Sequence, residues 1–227
     1  MHIEPGIVDS AKMALAYGTA AAAGAYTLKL AWEELHHGGP LALAGRALVA
    51  AIGTFVCFEV LPHVPVGVSE VHLILGTTLM RILGPAAAAI GLALGLLVQG
   101  LFFAPTDLPM YAVNVTTLLA PLFAMTALAR RIIPEHRAYV DLRYVDVLRL
   151  SLAYQGGIVA WVAFWALYGQ GLGAENLGAI GSFGVAYMLV VLIEPLADLA
   201  ALAIAKSLRR HGSAPHALLT PRLYHAG

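Results

Sequence analysis

The chain has few charged residues, and this scarcity excludes a water-soluble fold. Only 11% of its 227 residues are charged, whereas soluble domains carry about 25%, and the mean hydropathy is +0.80. Acidic and basic residues balance at thirteen each, so nothing indicates a nucleic-acid partner. Because helices and closed barrels are the structures that span a bilayer, the long apolar stretches predict an all-α, polytopic membrane bundle.

Several motifs are also missing. A single cysteine, Cys57, excludes an internal disulfide and a CxxC pair, and the sequence has no Cys/His zinc spacing. No GxxxxGK[ST] sequence is present, so the chain cannot hydrolyse ATP by that route. A secretory signal would begin with a basic stretch and carry a shorter apolar core than residues 11–31. We therefore expect the mature chain to keep Met1.

Apolar stretches and their breaks predict about seven transmembrane helices. A span needs roughly 20 apolar residues, and the third stretch is shorter. The stretches lie at residues 9–35, 43–61, 70–83, 86–104, 112–130, 148–169 and 179–205. With the amino terminus outside and the carboxyl terminus in the cytoplasm, every Lys and Arg except Lys12 falls on the inner side, as cytoplasmic loops require.

Small and amphipathic segments add detail to this topology. Gly91 and Gly95, four residues apart, predict close helix contact. Charged and apolar residues alternate at helical spacing over residues 134–149, which indicates an amphipathic helix at the cytoplasmic surface.

His2 is the sharpest chemical feature. A free α-amine, the amide nitrogen of His2 and the imidazole Nδ1 can close two fused chelate rings around one metal ion. Three nitrogens then occupy three corners of a square plane, which suits Ni(II) and Cu(II). A second-position histidine also occurs by chance, in a disordered terminus. The predicted topology leaves two further histidines outside, His63 and His72.

His72 follows a break and begins the short third stretch. Ser69 is a suitable N-cap for a helix there, with Glu70 in its first turn. Short, interrupted spans often mark substrate sites in transporters, although an interfacial histidine at a capped helix end explains the same pattern.

Two further pairs of ionisable residues have weaker interpretations. Glu59 and His63, four apart, could orient a metal ligand or form an interfacial pair, and the interfacial pair is favoured. Glu194 and Asp198 lie within the seventh stretch, where carboxylates usually face the bundle interior. They could pair with Arg81 or bind a partner helix.

Particular motifs in residues 1–130 resemble the CbiM/NikM family, the substrate-capture subunits of energy-coupling factor transporters for cobalt and nickel. They are Met1-His2-Ile3, Ser69-Glu70-Val71-His72-Leu73-Ile74-Leu75-Gly76, Ile82-Leu83-Gly84-Pro85, Leu97-Val98-Gln99 with Leu101-Phe102-Phe103, and Ala112-Val113-Asn114. The order of Glu4-Pro5-Gly6 and the loop before His72 differ from the family pattern.

The resemblance implies a single transmembrane domain, residues 1–227, in a bacterial inner membrane. It comprises an N-terminal metal-binding segment (1–8), a cytoplasmic amphipathic linker (131–148) and a cytoplasmic tail (206–227). Metal ligands would come from Met1, His2 and His72, and Asn114 would support the N-terminal loop. Co²⁺ or Ni²⁺ is the implied substrate, and a membrane coupling subunit and ATP-binding subunits are the implied partners.

Two other functions compete with metal capture. Gly181-Ser182-Phe183-Gly184 superficially resembles a serine nucleophile turn, which would make the chain an intramembrane enzyme. However, a serine nucleophile needs a base within hydrogen-bond reach, and spans four to seven contain no histidine. A non-transporting assembly subunit would bind no metal and would tolerate changes at its terminus.

Overall fold

A computed structural model of the protein describes residues 2–133, 137–211 and 219–224, except for the side chains of His37 and Ile132. Met1, predicted to be a metal ligand, lies outside the described residues. Parts of the predicted linker (134–136) and tail (212–218 and 225–227) also lie outside them.

Seven α-helices and one β-hairpin make up the described chain. The helices are α1 (Met13–Gly38), α2 (Pro40–Phe55), α3 (Gly76–Leu83), α4 (Pro85–Phe102), α5 (Tyr111–Ile132), α6 (Tyr144–Gln170) and α7 (Ala174–Arg210). The strands are β1 (Val64–Val66) and β2 (Ser69–Val71), which pair antiparallel. A π-helical turn (Val56–Val60) extends α2, and 3₁₀ turns occupy Pro105–Met110, Tyr139–Asp141 and Pro221–Leu223.

The all-α membrane bundle is confirmed. Five segments are long and apolar enough to cross a membrane: Pro40–Val60, Pro85–Phe102, Pro105–Arg131, Tyr144–Gln170 and Ala174–Arg210. Helix α1 has sufficient length but is not among these apolar segments. The eight residues of α3 rise about 12 Å, far less than a bilayer core of about 30 Å. The side of the membrane on which each terminus lies stays a prediction.

The prediction of a continuous helix over residues 70–83 is wrong in its first half. Residues 69–71 form β2, and α3 begins only at Gly76. Valines on both sides of the turn favour extended backbone, and Gly67 supplies the turn with φ +62°. A Cβ at Gly67 would lie 2.0 Å from the carbonyl oxygen of Ala179, so glycine also lets the hairpin pack against α7.

The predicted amphipathic helix over residues 134–149 is wrong over residues 137–143, although residues 144–149 are helical. Residues 137–143 contain one 3₁₀ turn, and α6 begins at Tyr144. Tyr139, Val140 and Leu142 are all buried and pack near Leu202 and Leu223. These buried residues therefore anchor an irregular segment between α5 and α6.

The predicted close helix contact occurs between α2 and α4. A Cβ at Gly91 would lie 2.2 Å from the Ala50 Cβ, and one at Gly95 would lie 2.6 Å from the Thr54 Cβ. The two helices therefore approach to a distance that only glycine permits at these positions. The π-helical end of α2 is positioned beside the hairpin by this packing.

Candidate metal centre

The N-terminal segment pairs with the hairpin as a short third strand. Ile3 forms an antiparallel bridge with Ser69. The backbone N–H of Glu70 donates to the carbonyl oxygen of His2 at 2.9 Å, and the N–H of Glu4 donates to Val68 at 3.2 Å. A free strand edge carries unpaired donors and acceptors, and the N-terminal segment satisfies them. This pairing places His2 beside β2.

Ile3 fixes the segment to the bundle. Its side chain is fully buried with Val8, Val113 and Trp165. Its backbone N–H donates to the Asn114 Oδ1 at 2.8 Å, from the first turn of α5. The predicted contact between Asn114 and the N-terminal loop is therefore present in the structure.

Three side chains converge where the segment meets the hairpin. The His2 Nδ1 lies 2.9 Å from the Glu70 Oε2 and 3.2 Å from the His72 Nε2. The His72 Nε2 lies 3.4 Å from the same Glu70 oxygen. Both histidines are at least 98% buried, and these three residues form a group that could hold a metal ion.

The spacing of these atoms suits one ion bound to all three. Two nitrogen ligands that lie about 2.1 Å from an ion, at a right angle, are about 3 Å apart. Nδ1 is also the His2 nitrogen that the terminal chelate requires. A divalent ion at the three atoms would face one carboxylate and two imidazoles.

Aromatic rings enclose the two histidines. The Phe58 ring centroid lies 5.6 Å from His2 and 4.7 Å from His72, and His63 stacks against His72 at 5.7 Å. Phe58 comes from the π-helical turn that ends α2. Phe58 thus supplies an apolar wall beside the two buried histidines, which strengthens electrostatic interactions there.

The histidines are suited to bind a cation because burial lowers the pKa of both His2 and His72, the latter well below its ordinary value. A neutral imidazole keeps a lone pair for a metal. Burial opposes ionisation of Glu70, but its hydrogen bond with His2 and the nearby positive charges together outweigh burial and lower the pKa of the Glu70 carboxyl. The site therefore combines neutral nitrogen donors with one anionic oxygen.

A buried carboxylate on α7 holds the chain just after His72. The Glu194 Oε1 accepts the backbone N–H groups of Ile74 and Leu75, and the Gln155 Nε2 donates to the Glu194 Oε2. Leu75 has a left-handed backbone with φ 56°, which is uncommon outside glycine. These bonds fix the turn that carries His72 into the site.

The other predicted supporting residues have different roles. Ser69 is not a helix N-cap, because its Oγ lies in β2 and donates to the carbonyl oxygen of His2 at 3.0 Å. Glu59 accepts a long 3.4 Å hydrogen bond from Gln99, and no ion pair joins it to His63 in the described chain. The π-helical turn ends the helix before residue 61 and so removes the expected i, i+4 spacing.

Other polar side chains of α7 also differ from their predicted roles. Glu194 binds backbone N–H groups, and Thr78 donates to the Asp198 Oδ1; neither carboxylate forms an ion pair with Arg81 in the described chain. Ser182 is an exposed residue within α7, and its Oγ donates to the Gly178 carbonyl at 3.0 Å. The resemblance to a nucleophile turn is therefore wrong.

The sequence patterns did not identify Glu70 as a candidate ligand, Phe58 as a ring packed against both histidines, or Glu194 as the acceptor that holds the turn after His72. Glu70 was predicted to lie in the first turn of a helix, where a residue two positions before His72 would not share a face with it. In a strand, residues i and i+2 point to the same face. That period is the signal that could have identified Glu70.

Replacing Asn114 with alanine is expected to weaken metal binding by about 10-fold to 100-fold, the usual effect of removing a group that supports a ligand. The buried N–H of Ile3 would lose its acceptor, and His2 would lose its anchor. Equilibrium titration with Ni²⁺ and Co²⁺ measures the effect. Asn176→Ala is the matched control, because that amide bonds to Ala166 and Gly171 near the start of α7. Equal affinities for Asn114→Ala and the unmodified protein would contradict the anchoring role.

Comparison with known proteins gives one family and two solved structures. A family model for CbiM, the cobalt uptake substrate-specific transmembrane region, matches residues 2–211. A crystal structure of a transition metal transporter is 20% identical, with a TM-score of 0.65, and the match covers 94% of this chain and 95% of that one. A truncated transition metal transporter is 19% identical, with a TM-score of 0.60, covering 94% and 100%. No significant match was found among curated proteins.

Proposed function

Because the chain belongs to the CbiM family of substrate-specific transmembrane components of cobalt uptake transporters, we propose that His2, Glu70 and His72 form the site that captures the metal ion. The observation that carries this proposal is the convergence of His2 Nδ1, Glu70 Oε2 and His72 Nε2 within 3.4 Å of one another. His2 and His72 are 70 residues apart in the sequence, yet their ring nitrogens meet at one buried position.

The proposed ion is Co²⁺ or Ni²⁺, entering from the side of the membrane that bears the hairpin. Imidazole nitrogens suit both ions, whereas Mg²⁺ and Ca²⁺ prefer oxygen ligands. In the proposed complex the Met1 amine and the His2 amide nitrogen add to the two imidazoles. Four nitrogens of this kind favour the square-planar geometry of Ni(II), and Glu70 then balances charge beside the plane.

The chain acts as a transport component and not as an enzyme. Since it has no GxxxxGK[ST] motif, we propose that a membrane coupling subunit and cytoplasmic ATP-binding subunits supply the energy for release. The route of the metal through the bundle would then depend on movements that those partners drive.

Blocking the terminal amine tests the proposed chelate. A chain extended by a short tag directly before Met1 is expected to lose most of its Ni²⁺ affinity, because the amine becomes an amide. The same tag placed after Gly227 is the matched control. Unchanged affinity in the N-terminally extended protein would rule out the amine as a ligand.

Proton release tests the amide separately. At about pH 8.5 the α-amine, with an ordinary pKa of about 8, is mostly neutral, and both imidazoles are neutral because burial lowers the pKa of His2 and His72. Ligation of the His2 amide should therefore release about one proton per ion. Calorimetric titrations in buffers of different ionisation enthalpy count it, and a count near zero would contradict amide ligation.

A further inference from the structure

A second cavity lies at the opposite end of the bundle from the metal centre. It has a volume of about 360 Å³, within the range of small-molecule sites of about 300–1,000 Å³. Asn114, at the metal centre, is in the first turn of α5, whereas Arg130, at this cavity, is in the last turn. Sixteen residues of helix separate them by about 24 Å.

Four arginines line this cavity: Arg81, Arg130, Arg137 and Arg222. None of its described lining residues is acidic, and none of the four arginines forms an ion pair with another described residue. The Nε and Nη2 atoms of Arg81 are shielded from solvent and have no hydrogen-bond partner in the described chain. Such groups are costly when buried unless a ligand or water satisfies them.

Arg46 is a second buried arginine, and its guanidinium, unlike that of Arg81, has both a carboxylate and a carbonyl partner. Its Nη2 donates to the Glu34 Oε1 at 2.7 Å, and its Nη1 donates to the carbonyl oxygen of Leu83 at 3.2 Å. Arg81 lies two residues before Leu83, yet it lacks an equivalent carboxylate partner. Asp198, an acidic group on α7, attracts Arg81 electrostatically but is hydrogen-bonded to Thr78 and forms no ion pair with the guanidinium in the described chain.

The cavity is held together by the C-terminal segment. The Thr220 backbone N–H donates to the carbonyl oxygen of Ile82 at 2.8 Å, and Leu223 is buried beside Tyr139 and Leu142. These contacts place Arg222 opposite the end of α5. The cationic groups therefore come from several chain segments that are fixed to one another.

We propose that this cavity binds the phosphate headgroup of an anionic phospholipid. Guanidinium groups bind phosphate oxygens through paired hydrogen bonds, and basic pockets between transmembrane helices on the cytoplasmic side are typical headgroup sites. Met80, Pro85 and Ile133 supply an apolar part of the lining, where the glycerol and the first acyl carbons would lie.

Binding of phosphatidylglycerol to the purified full chain in neutral detergent, measured by native mass spectrometry, tests this assignment. Phosphatidylcholine is the comparison lipid. The unmodified protein should prefer phosphatidylglycerol, and the double variant Arg130→Gln with Arg222→Gln should weaken its binding by about 25-fold, since each arginine contributes about fivefold. Ni²⁺ affinity should stay unchanged, which shows that the variant is folded.

The matched control is Arg131→Gln with Arg210→Gln. It removes the same charge from the last turns of α5 and α7 but does not alter the cavity lining. An equal loss of lipid binding in this control, or no preference for phosphatidylglycerol, would overturn the proposal. Millimolar inorganic phosphate that binds and excludes phosphatidylglycerol would assign the cavity to a soluble anion instead. If the Arg130→Gln with Arg222→Gln variant keeps its phosphatidylglycerol binding and loses only its capture of the coupling subunit, the cavity is a protein-docking site and the proposal is overturned.

Discussion

Replacing His72 with alanine is expected to lower the affinity for Ni²⁺ and Co²⁺ by more than about 100-fold, since removing only a supporting group costs up to about that much. His72 supplies the Nε2 that faces both His2 and Glu70. His2→Ala should have a comparable effect, because it removes the Nδ1 that anchors the proposed chelate. Isothermal titration of each purified variant measures both losses.

Control variants separate loss of the ligand from general damage. His36→Ala removes an exposed histidine that bonds to the carbonyl oxygen of Trp32, and it should leave metal affinity unchanged. The metal-free His72→Ala protein should still unfold in one cooperative transition, although the cavity left by the buried ring lowers its midpoint. If His72→Ala retained full affinity while folded, the ligand assignment would be wrong.

Replacing Glu194 with alanine should both destabilise the fold and weaken metal binding. The change leaves the N–H groups of Ile74 and Leu75 and the amide of Gln155 without their acceptor. Each buried, unsatisfied donor costs about 1–3 kcal/mol, so we expect a loss of about 3 kcal/mol or more. The turn after His72 would move, and metal affinity should fall with it.

A reciprocal exchange provides the control for Glu194. In Glu194→Gln with Gln155→Glu, the amide carbonyl introduced on α7 can accept both backbone N–H groups, and the amide nitrogen beside it can donate to the carboxylate introduced on α6. The Tyr187 hydroxyl, which donates to Gln155 at 2.6 Å, would keep an acceptor. We expect the exchange to recover most of the stability and metal affinity, measured by thermal unfolding and titration. Failure to recover either would argue against this network as the brace.

Hydropathy predicted the bundle well because a bilayer imposes length and polarity on every spanning helix. Stretches bounded by Pro and Gly became helices with ends a few residues away, as in α4 (Pro85–Phe102) and α5 (Tyr111–Ile132). Glycines at positions 91 and 95 also predicted a close contact, although the partner helix could not be known from local sequence.

The region around His72 could not be predicted in the same way. A short apolar run is compatible with a helix or a strand, and residues 69–71 are extended because they pair with β1 on one side and with the N-terminal segment on the other. That pairing joins residues 67 positions apart, Ser69 to His2, and no local pattern encodes it. Glu194 was expected to face the interior, but its partners are backbone N–H groups about 120 residues away.

The most direct test of the metal centre is anomalous diffraction at the nickel or cobalt absorption edge, from crystals of the loaded protein with a free Met1 amine. We predict one strong peak within bonding distance of the His2 Nδ1 and the His72 Nε2, beside the Glu70 carboxylate. Crystals of His72→Ala should lack that peak. A peak elsewhere in the bundle, with His2 and His72 free of metal, would contradict the assignment.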